Sequence, residues 1–285
     1  MLTALTVKKH ERRKGIKGLA DRLRRDRAVV KIKRARGVYL KHITYISYGR
    51  KPRFGKLEKI IGDSKNRIIC SPKIKFESDS KFKRFENSDF SARLCTNLAI
   101  YLLSMCDFTE KLKIGIYDLD GRESEFLPYV MKYSSDVTVV TDCPDVYYDE
   151  NELVMENMGA CSVVTKRTEE LEHCHLIIAP HTIEKTFSSN ENTLILTNGR
   201  PKAELTGEVY YKYYFKMPNG FDRIKPQELE TEYFCSALYS LGRQYSLGSI
   251  VPTMCSNFSA TQTVKSLYAM FESLYKNSAK SADEN

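Results

Sequence analysis

Short apolar runs rich in β-branched residues alternate with helical segments in the middle of the chain, and this alternation constrains the fold more than any other feature. The runs lie at residues 113–117, 137–141, 161–165, 176–180 and 193–197. Runs of this length between helical segments are typical of parallel strands joined by crossover helices. We therefore predict a doubly wound α/β sheet whose first strand, residues 113–117, is central and lies beside the switch point.

The segment before this region predicts a small, basic α+β unit. Most positions over residues 8–27 are charged, and residues 1–28 are interpreted as a basic arm with a short helix. Residues 29–105 are assigned to the α+β unit, with a strand or hairpin around Gly37, a helix that ends at Gly62 and a buried linking helix over 90–105.

The α/β domain is assigned to residues 106–276, including a helical extension at its end. The pattern predicts one long strand over 207–222 and a helix over 225–245 with Pro226 in its first turn. A last helix is predicted over 262–275, and residues 277–285 should fray because they lack an apolar anchor.

The charge of the chain is divided unevenly between its two parts. Residues 1–90 contain 27 Lys and Arg against 9 Asp and Glu, whereas residues 91–285 contain 18 against 27. The basic part can attract polyanions or pair with the acidic remainder, and charge alone does not separate these alternatives. We expect weak, non-specific nucleic-acid contact that largely disappears at physiological salt.

Cysteine usage and hydropathy predict a cytoplasmic protein with no membrane contact. The eight cysteines form no CxxC pair, which favours reduced and mostly buried thiols. The longest apolar runs are too short to cross a bilayer, and the order of apolar and charged residues at the start differs from that of a secretory signal.

The first strand of the α/β region runs into Asp118-Leu-Asp120-Gly121, and the second ends at Asp142. Residues 112–200 resemble the Rossmann-like dinucleotide-binding superfamily, in which a GxGxxG turn follows the first strand and an acidic residue after the second binds ribose. Asp142 matches the ribose position, but carboxylates replace glycines in the turn and repel phosphate.

The resemblance therefore implies a nucleotide or small acidic metabolite at the carboxyl ends of the strands, bound weakly or not at all. Its predicted contact residues are Asp118, Asp120, Gly121, Asp142 and Thr197, and the identity of the cofactor stays unknown.

The same stretch also resembles the haloacid-dehalogenase-like phosphatases, whose first motif is a buried strand followed by DxDG. That resemblance implies Asp118 as nucleophile, Asp120 as acid/base, Mg²⁺ between them, Thr197 as the second motif and Lys202 as the phosphate ligand. The chain departs from the family at Arg122, and no strand followed by an acid pair appears after residue 200. A third interpretation needs no ligand, because both aspartates can cap the following helix.

A histidine cluster and an aromatic stripe are the other patterns of chemical interest. The cluster comprises His173, Cys174, His175 and His181. It lacks four converging ligands, so no metal site is predicted, and only His181 lies at the ligand-binding edge. The stripe comprises Tyr210, Lys212, Tyr214 and Lys216. These residues would share one strand face, as in a base-stacking surface or an ordinary protected edge strand.

Three functions stay open from the sequence, and enzyme status stays open with them. The first is a Rossmann-like protein with a non-glycine phosphate turn, the second is an Mg²⁺-dependent phosphatase, and the third is a nucleic-acid-associated binding module. Fold class does not decide among them.

Overall fold

The computed structural model describes residues 1–10, 24–48, 54–78, 80–108 and 111–283. Within these ranges the strands are β1 (Leu2–Lys9), β2 (Arg27–Ala35), β3 (Val38–Ser47), β4 (Ile69–Cys70), β5 (Lys113–Tyr117), β6 (Asp136–Val140), β7 (Val163–Thr165), β8 (Leu176–Ala179), β9 (Leu194–Thr197), β10 (Glu208–Tyr210), β11 (Lys212–Tyr214), β12 (Met254–Ser256) and β13 (Thr261–Thr263). The α-helices there are α1 (Glu58–Ile61), α2 (Asp89–Leu103), α3 (Leu127–Val130), α4 (Pro144–Met158), α5 (Thr231–Ser240) and α6 (Val264–Asp283). The chain forms two compact units, Met1–Phe90 with Met217–Leu247 and Ser91–Lys216 with Gly248–Asn285.

The first unit contains a mixed sheet with the strand order β2-β3-β1-β4. Strands β2 and β3 form an antiparallel hairpin, and β1 pairs in parallel with both β3 and β4. Arg36 and Gly37 connect the hairpin with φ of 45° and 78°, as a two-residue turn with two left-handed positions requires. The strand or hairpin predicted around Gly37 is a hairpin, and the predicted helix that ends at Gly62 is confirmed.

Strand β1 corrects the interpretation of residues 1–28 as a basic arm. Residues 2–6 are buried, and Leu5 packs in a core cluster with Ile43, Tyr45 and Phe82. The arm interpretation is wrong for residues 2–9, because the many charges that follow obscured a strand with apolar and threonine side chains. The short helix predicted within residues 1–28 lies mostly outside the described residues. A truncation of residues 1–28 would therefore remove an internal strand of the sheet.

The second unit contains a parallel sheet with the strand order β10-β9-β8-β5-β6-β7. If the strands are numbered in chain order starting from β5, and the sheet is read starting from β7, the strand order is the doubly wound order of the Rossmann-like fold. The structure confirms the predicted fold class, the parallel pairing and the central position of β5. It also adds β10 as a further edge strand.

Close packing against β5 explains why a glycine lies inside this central strand. A Cβ at Gly115 would lie 2.6 Å from Leu171 Cδ2 and 3.2 Å from Cys174 Sγ. Both neighbours belong to a buried cluster on one face of the sheet. A side chain at Gly115 would push this layer away from the sheet, so the glycine lets the layer and the strand approach closely.

The helix within the connection from β5 to β6 is shorter than predicted. Residues 123–134 form a 3₁₀ turn, Ser124–Phe126, and the four-residue α3 instead of one helix. The Ser134 hydroxyl donates to the carbonyl of Leu112, which holds the chain at the start of β6. The crossover therefore lacks a long helix whose N-terminal amides could bind phosphate.

The C-terminal third differs from the sequence-based assignment in three places. The predicted strand over 207–222 is two strands, since β10 lies in the parallel sheet while β11 pairs with β12 in a small antiparallel sheet. Helix α5 begins at Thr231 and not at residue 225. Residues 217–247 cluster with the first unit, although the sequence analysis assigns them to the α/β domain.

Helix α6 continues through much of the tail predicted to fray, because no Gly or Pro interrupts residues 264–283. Its Tyr275 ring stacks on Phe108 with centroids 4.4 Å apart, which anchors the helix within the second unit. The prediction of a frayed tail is therefore wrong for residues 277–283. Residues 284–285 lie outside the described part of the chain.

Cysteine burial agrees with the sequence-based expectation, and the length and hydropathy of the helices bear on membrane insertion. No helix among the described residues is long and apolar enough to span a membrane. All eight cysteines lie in described ranges as free thiols, and Cys70, Cys95, Cys174, Cys235 and Cys255 are buried. Burial raises the pKa of Cys95 to about 12, so this thiol packs as a small apolar group. The cytoplasmic location stays a prediction.

Candidate functional site

The carboxyl edge of the parallel sheet, where all six strands end, contains the switch point between the neighbouring strands β5 and β8. In doubly wound sheets the connections diverge at this point and leave a crevice where ligands bind. Asp118 follows β5 directly, and His181 follows β8 after Pro180. The fold therefore brings together two polar side chains that are distant in sequence.

Asp118 is fully buried, and one of its two carboxylate oxygens is held firmly. Its Oδ2 accepts hydrogen bonds from the Glu123 amide at 2.9 Å and from the Tyr147 hydroxyl at 2.9 Å. Burial, followed by the charge of Asp118, raises the pKa of Tyr147. The phenol therefore remains a donor to Asp118. The Glu123 bond is the backbone interaction that the capping interpretation predicts, but it accounts for only one carboxylate oxygen.

The second oxygen of Asp118 faces His181. Asp118 Oδ1 lies 3.7 Å from His181 Nε2, which is too long for a hydrogen bond. Both atoms are buried, and neither has a hydrogen-bond partner among the described residues. Leaving one buried polar atom unpaired costs about 1–3 kcal/mol, and more when the group is charged. The pair thus leaves two buried polar atoms without hydrogen bonds and places them where a third atom can contact both.

Thr197 holds the backbone of His181 in place. Its hydroxyl, at the end of β9, donates to the His181 carbonyl at 3.0 Å. The carbonyl of Thr197 accepts a hydrogen bond from the buried Tyr213 hydroxyl at 2.8 Å. Beside it, the Thr182 hydroxyl donates to the carbonyl of Asn198 at 2.6 Å. Thr197, predicted as a ligand contact, therefore positions His181 through hydrogen bonds to the backbone.

Asp120 completes a cluster of three potential metal-binding residues at this edge. One ligand atom from each of Asp118, Asp120 and His181 lies within 4.8 Å of the others. Asp120 is exposed, and its Oδ2 lies 2.9 Å from the Arg122 guanidinium. The cluster therefore combines one fixed buried carboxylate, one half-buried imidazole and one adjustable carboxylate.

Gly121 fixes the loop that contains both aspartates. Its φ of 66° lies in the left-handed region, and a Cβ would lie 2.7 Å from Val146 Cγ2 in the first turn of α4. The loop is therefore packed closely against the neighbouring crossover helix. Gly121 therefore permits a close approach between the loop and α4 that a residue with a side chain would prevent.

Asp142 lies at the same edge, after β6, as predicted for the ribose position. Its amide donates to the carbonyl of Leu119 at 3.0 Å, which joins the two loops. Its carboxylate is exposed, and its charge contributes, after burial, to raising the pKa of Tyr117. Asp118, Asp120 and Asp142 thus give this edge an acidic character, whereas a pyrophosphate site requires donors and positive potential.

Other sequence-predicted residues lie elsewhere or serve structural roles. Lys202 forms an ion pair with Glu184, both largely exposed. His175 accepts a hydrogen bond from the Lys113 amide at 3.0 Å, at the opposite edge of the sheet. The predicted aromatic stripe is wrong for Tyr210, because this ring is buried in β10 while Lys212 and Tyr214 are exposed in β11 of another sheet.

Sequence reasoning missed Tyr147, the side chain that orients Asp118. Tyr147 is fully buried, while its neighbour Tyr148 is 51% exposed. The available signal was helical periodicity, because Tyr147 and the buried Val154 lie seven residues apart on one face of α4. That spacing indicates burial but does not indicate a contact with Asp118.

Comparisons with known proteins identify no family. No protein-family model and no curated protein matches the chain. Among solved structures it is similar to the crystal structure of L-tryptophan dehydrogenase from Nostoc punctiforme, at 11% identity and a TM-score of 0.31, over 84% of this chain and 77% of the other. At this TM-score the similarity adds nothing to the strand order, on which the Rossmann-like assignment rests.

Proposed function

We propose that this chain binds a small polar ligand at the carboxyl edge of its parallel sheet, with Asp118 and His181 as contact residues. The observation that carries the proposal is the buried Oδ1 of Asp118, which faces the buried Nε2 of His181 with no hydrogen-bond partner for either atom among the described residues. A switch point is the preferred ligand position of this fold, and buried polar atoms left unpaired by the protein are typical of functional sites.

The charges at this edge favour a cationic or hydrogen-bond-donating group next to Asp118. Three carboxylates, those of Asp118, Asp120 and Asp142, follow the two adjacent strands β5 and β6. The segment after the first loop is a 3₁₀ turn and the four-residue α3, which offers no long helix dipole to an anion. Recognition of a pyrophosphate through this turn is therefore disfavoured.

Thermal-shift titration of the full chain against a panel of amines, amino acids, polycarboxylates and nucleotides tests the proposal. Any compound that raises the melting temperature should lose most of this effect in Asp118→Asn, which keeps an acceptor for Glu123 and Tyr147 but removes the charge. The matched control is Asp136→Asn, an exposed carboxylate at the start of β6. If every stabilising compound acts equally on both variants, the ligand site lies elsewhere and the proposal is wrong.

NAD and NADP should bind poorly. We expect dissociation constants no better than high micromolar, or a binding free energy of roughly −5 kcal/mol or weaker. Isothermal titration calorimetry measures this directly. Low-micromolar affinity for either dinucleotide would contradict the argument from the acidic turn and favour hydride-transfer chemistry.

Phosphatase activity is a second candidate, favoured by Asp118 and Asp120 lying within one cluster. Turnover of p-nitrophenyl phosphate with Mg²⁺ that disappears in Asp118→Asn would support it. The absence of turnover at high enzyme concentration would remove this candidate and leave ligand binding in place.

A further inference from the structure

We infer that Asp118, Asp120 and His181 bind a divalent transition-metal cation. This inference deepens the proposed function and rests on it, because it assigns chemistry to the group that faces Asp118. Two observations carry it independently. One is the clustering of the three potential ligand atoms within 4.8 Å of one another, and the other is the fully buried Asp118 carboxylate, whose Oδ1 has no hydrogen-bond partner among the described residues.

The spacing between Asp118 and His181 fits a shared cation better than a direct contact. Their Oδ1 and Nε2 atoms are 3.7 Å apart, beyond hydrogen-bonding distance. Two ligands with metal bonds of about 2.1 Å in a tetrahedral site are about 3.4 Å apart. A closure of a few tenths of an ångström therefore brings both atoms into coordination. Asp120 is exposed and adjusts by side-chain rotation.

The donor set points to a class of metal. It supplies two carboxylates and one imidazole, and the cluster contains no thiolate. Calcium and magnesium favour all-oxygen sites, whereas soft ions favour sulfur. A mixed oxygen and nitrogen set suits Mn²⁺, Fe²⁺, Co²⁺ or Zn²⁺. Three protein ligands leave coordination positions open, where an oxygen of an acidic metabolite can bind.

Neighbouring groups already hold two of the three ligands in position. Tyr147 and the Glu123 amide fix Asp118 through its other oxygen, so that Oδ1 points toward His181. Thr197 fixes the backbone of His181. Hydrogen bonds that orient ligating side chains are characteristic of metal sites and account for much of their affinity. The third ligand, Asp120, is paired with Arg122, which competes with a cation for its carboxylate.

Binding of Mn²⁺ to the full-length chain, measured by electron paramagnetic resonance after chelator treatment, tests the inference. We expect one Mn²⁺ per chain, with affinity reduced about tenfold or more in Asp118→Asn, Asp120→Asn and His181→Ala. Asp136→Asn and His175→Ala, from the opposite edge of the sheet, should bind as the unaltered chain does. The inference is overturned if Mn²⁺ shows no saturable binding to the chain, or if it binds equally strongly to all five variants.

Two further measurements keep the test independent of folding. Asp120→Asn changes an exposed side chain, so normal melting with weakened Mn²⁺ binding supports the site even if Asp118→Asn folds poorly. Arg122→Gln removes the competitor for Asp120 and should strengthen Mn²⁺ binding a few-fold. Unchanged or weaker binding in Arg122→Gln, in a chain that melts normally, would exclude Asp120 as a ligand and overturn the three-residue site.

The cation and the small-molecule site can fail separately. If compounds still stabilise the chain in an Asp118-dependent manner in excess EDTA, the proposed function stands and the cation inference is wrong. If Mn²⁺ binds through the three residues but no panel compound adds stability with or without Mn²⁺, the cation site stands and the proposed small-molecule function is wrong.

Discussion

Two histidines on either side of β8 show how differently the two edges of the parallel sheet are built. His175, at the amino edge, accepts a hydrogen bond from the Lys113 amide, and its ring contacts Tyr275 edge-on with centroids 5.0 Å apart. His181, at the carboxyl edge, has a buried Nε2 without a hydrogen-bond partner among the described residues. The same residue type is thus structural at one edge and available for binding at the other.

The aspartates show the same difference. Asp136 begins β6 at the amino edge with an exposed side chain, while Asp118 follows β5 at the carboxyl edge and is fully buried. Burial without complete hydrogen bonding costs stability, and such cost is expected where a protein binds something else. The two edges of the sheet therefore differ in whether their polar atoms have hydrogen-bond partners or solvent contact. Histidine and aspartate occur at both edges, so residue type alone does not distinguish them.

The largest effect on stability is expected from the tight loop at the carboxyl edge. Gly121→Ala forces a Cβ to within 2.7 Å of Val146 Cγ2 at a φ of 66°. Strain and overpacking together should cost about 2–4 kcal/mol in the free energy of unfolding. The control is Gly159→Ala at the other end of α4, where φ is 70° but no atom lies within 4 Å. That change should cost about 1 kcal/mol.

Urea denaturation of both variants measures the difference. Adding Val146→Ala to Gly121→Ala should recover part of the steric cost and none of the backbone strain. If the two glycine variants lose equal stability, the loop is not packed against α4 as described, and the contrast between the edges weakens.

A smaller effect is expected from the two histidines. His175→Ala removes a hydrogen bond and an aromatic contact, and should cost about 1–2 kcal/mol. His181→Ala should cost less, because its Nε2 makes no hydrogen bond within the described protein. Thermal or urea unfolding, performed in EDTA, measures both. A larger loss for His181→Ala would mean that this side chain is structural, contrary to the proposed function.

The smallest effect is expected in the pH dependence of stability. Burial, followed by the charge of Lys113, lowers the pKa of His175. The unfolded chain therefore binds a proton more readily, with a histidine pKa of about 6.5. Stability should be unaffected above this value and should fall as the pH drops through it toward the lower folded pKa. His175→Asn should lose less stability than the unaltered chain between pH 7.5 and pH 5.

His42 in the first unit is shifted in the same direction, mainly by burial, so some pH dependence should remain in His175→Asn. The double variant with His42→Asn should reduce it further. A pH profile that His175→Asn leaves unchanged would show that this imidazole titrates equally in the folded and unfolded chain.

The elements that the sequence predicted well are those whose signal is local. Strand β5 and the linking helix α2 were predicted within a residue or two, because unbroken apolar runs and helical periodicity do not depend on distant partners. The prediction of one strand over 207–222 was wrong. The alternating residue pattern continues through Tyr211, although the chain passes there from one sheet to another. Strand β1 was missed because its neighbours β3 and β4 supply its burial.

In the candidate site, too, some features are marked by the local sequence and others depend on distant residues. The positions of Asp118, Asp120 and Asp142 after strands of a parallel sheet follow from the sequence alone, because strand ends are marked by the change from apolar to polar residues. Packing in the folded chain reveals that Asp118 turns inward while Asp120 stays exposed. It also reveals that Tyr147 holds one oxygen of Asp118 and that His181 faces the other. These relations depend on strand order and on packing across the sheet, which join residues that no local pattern connects.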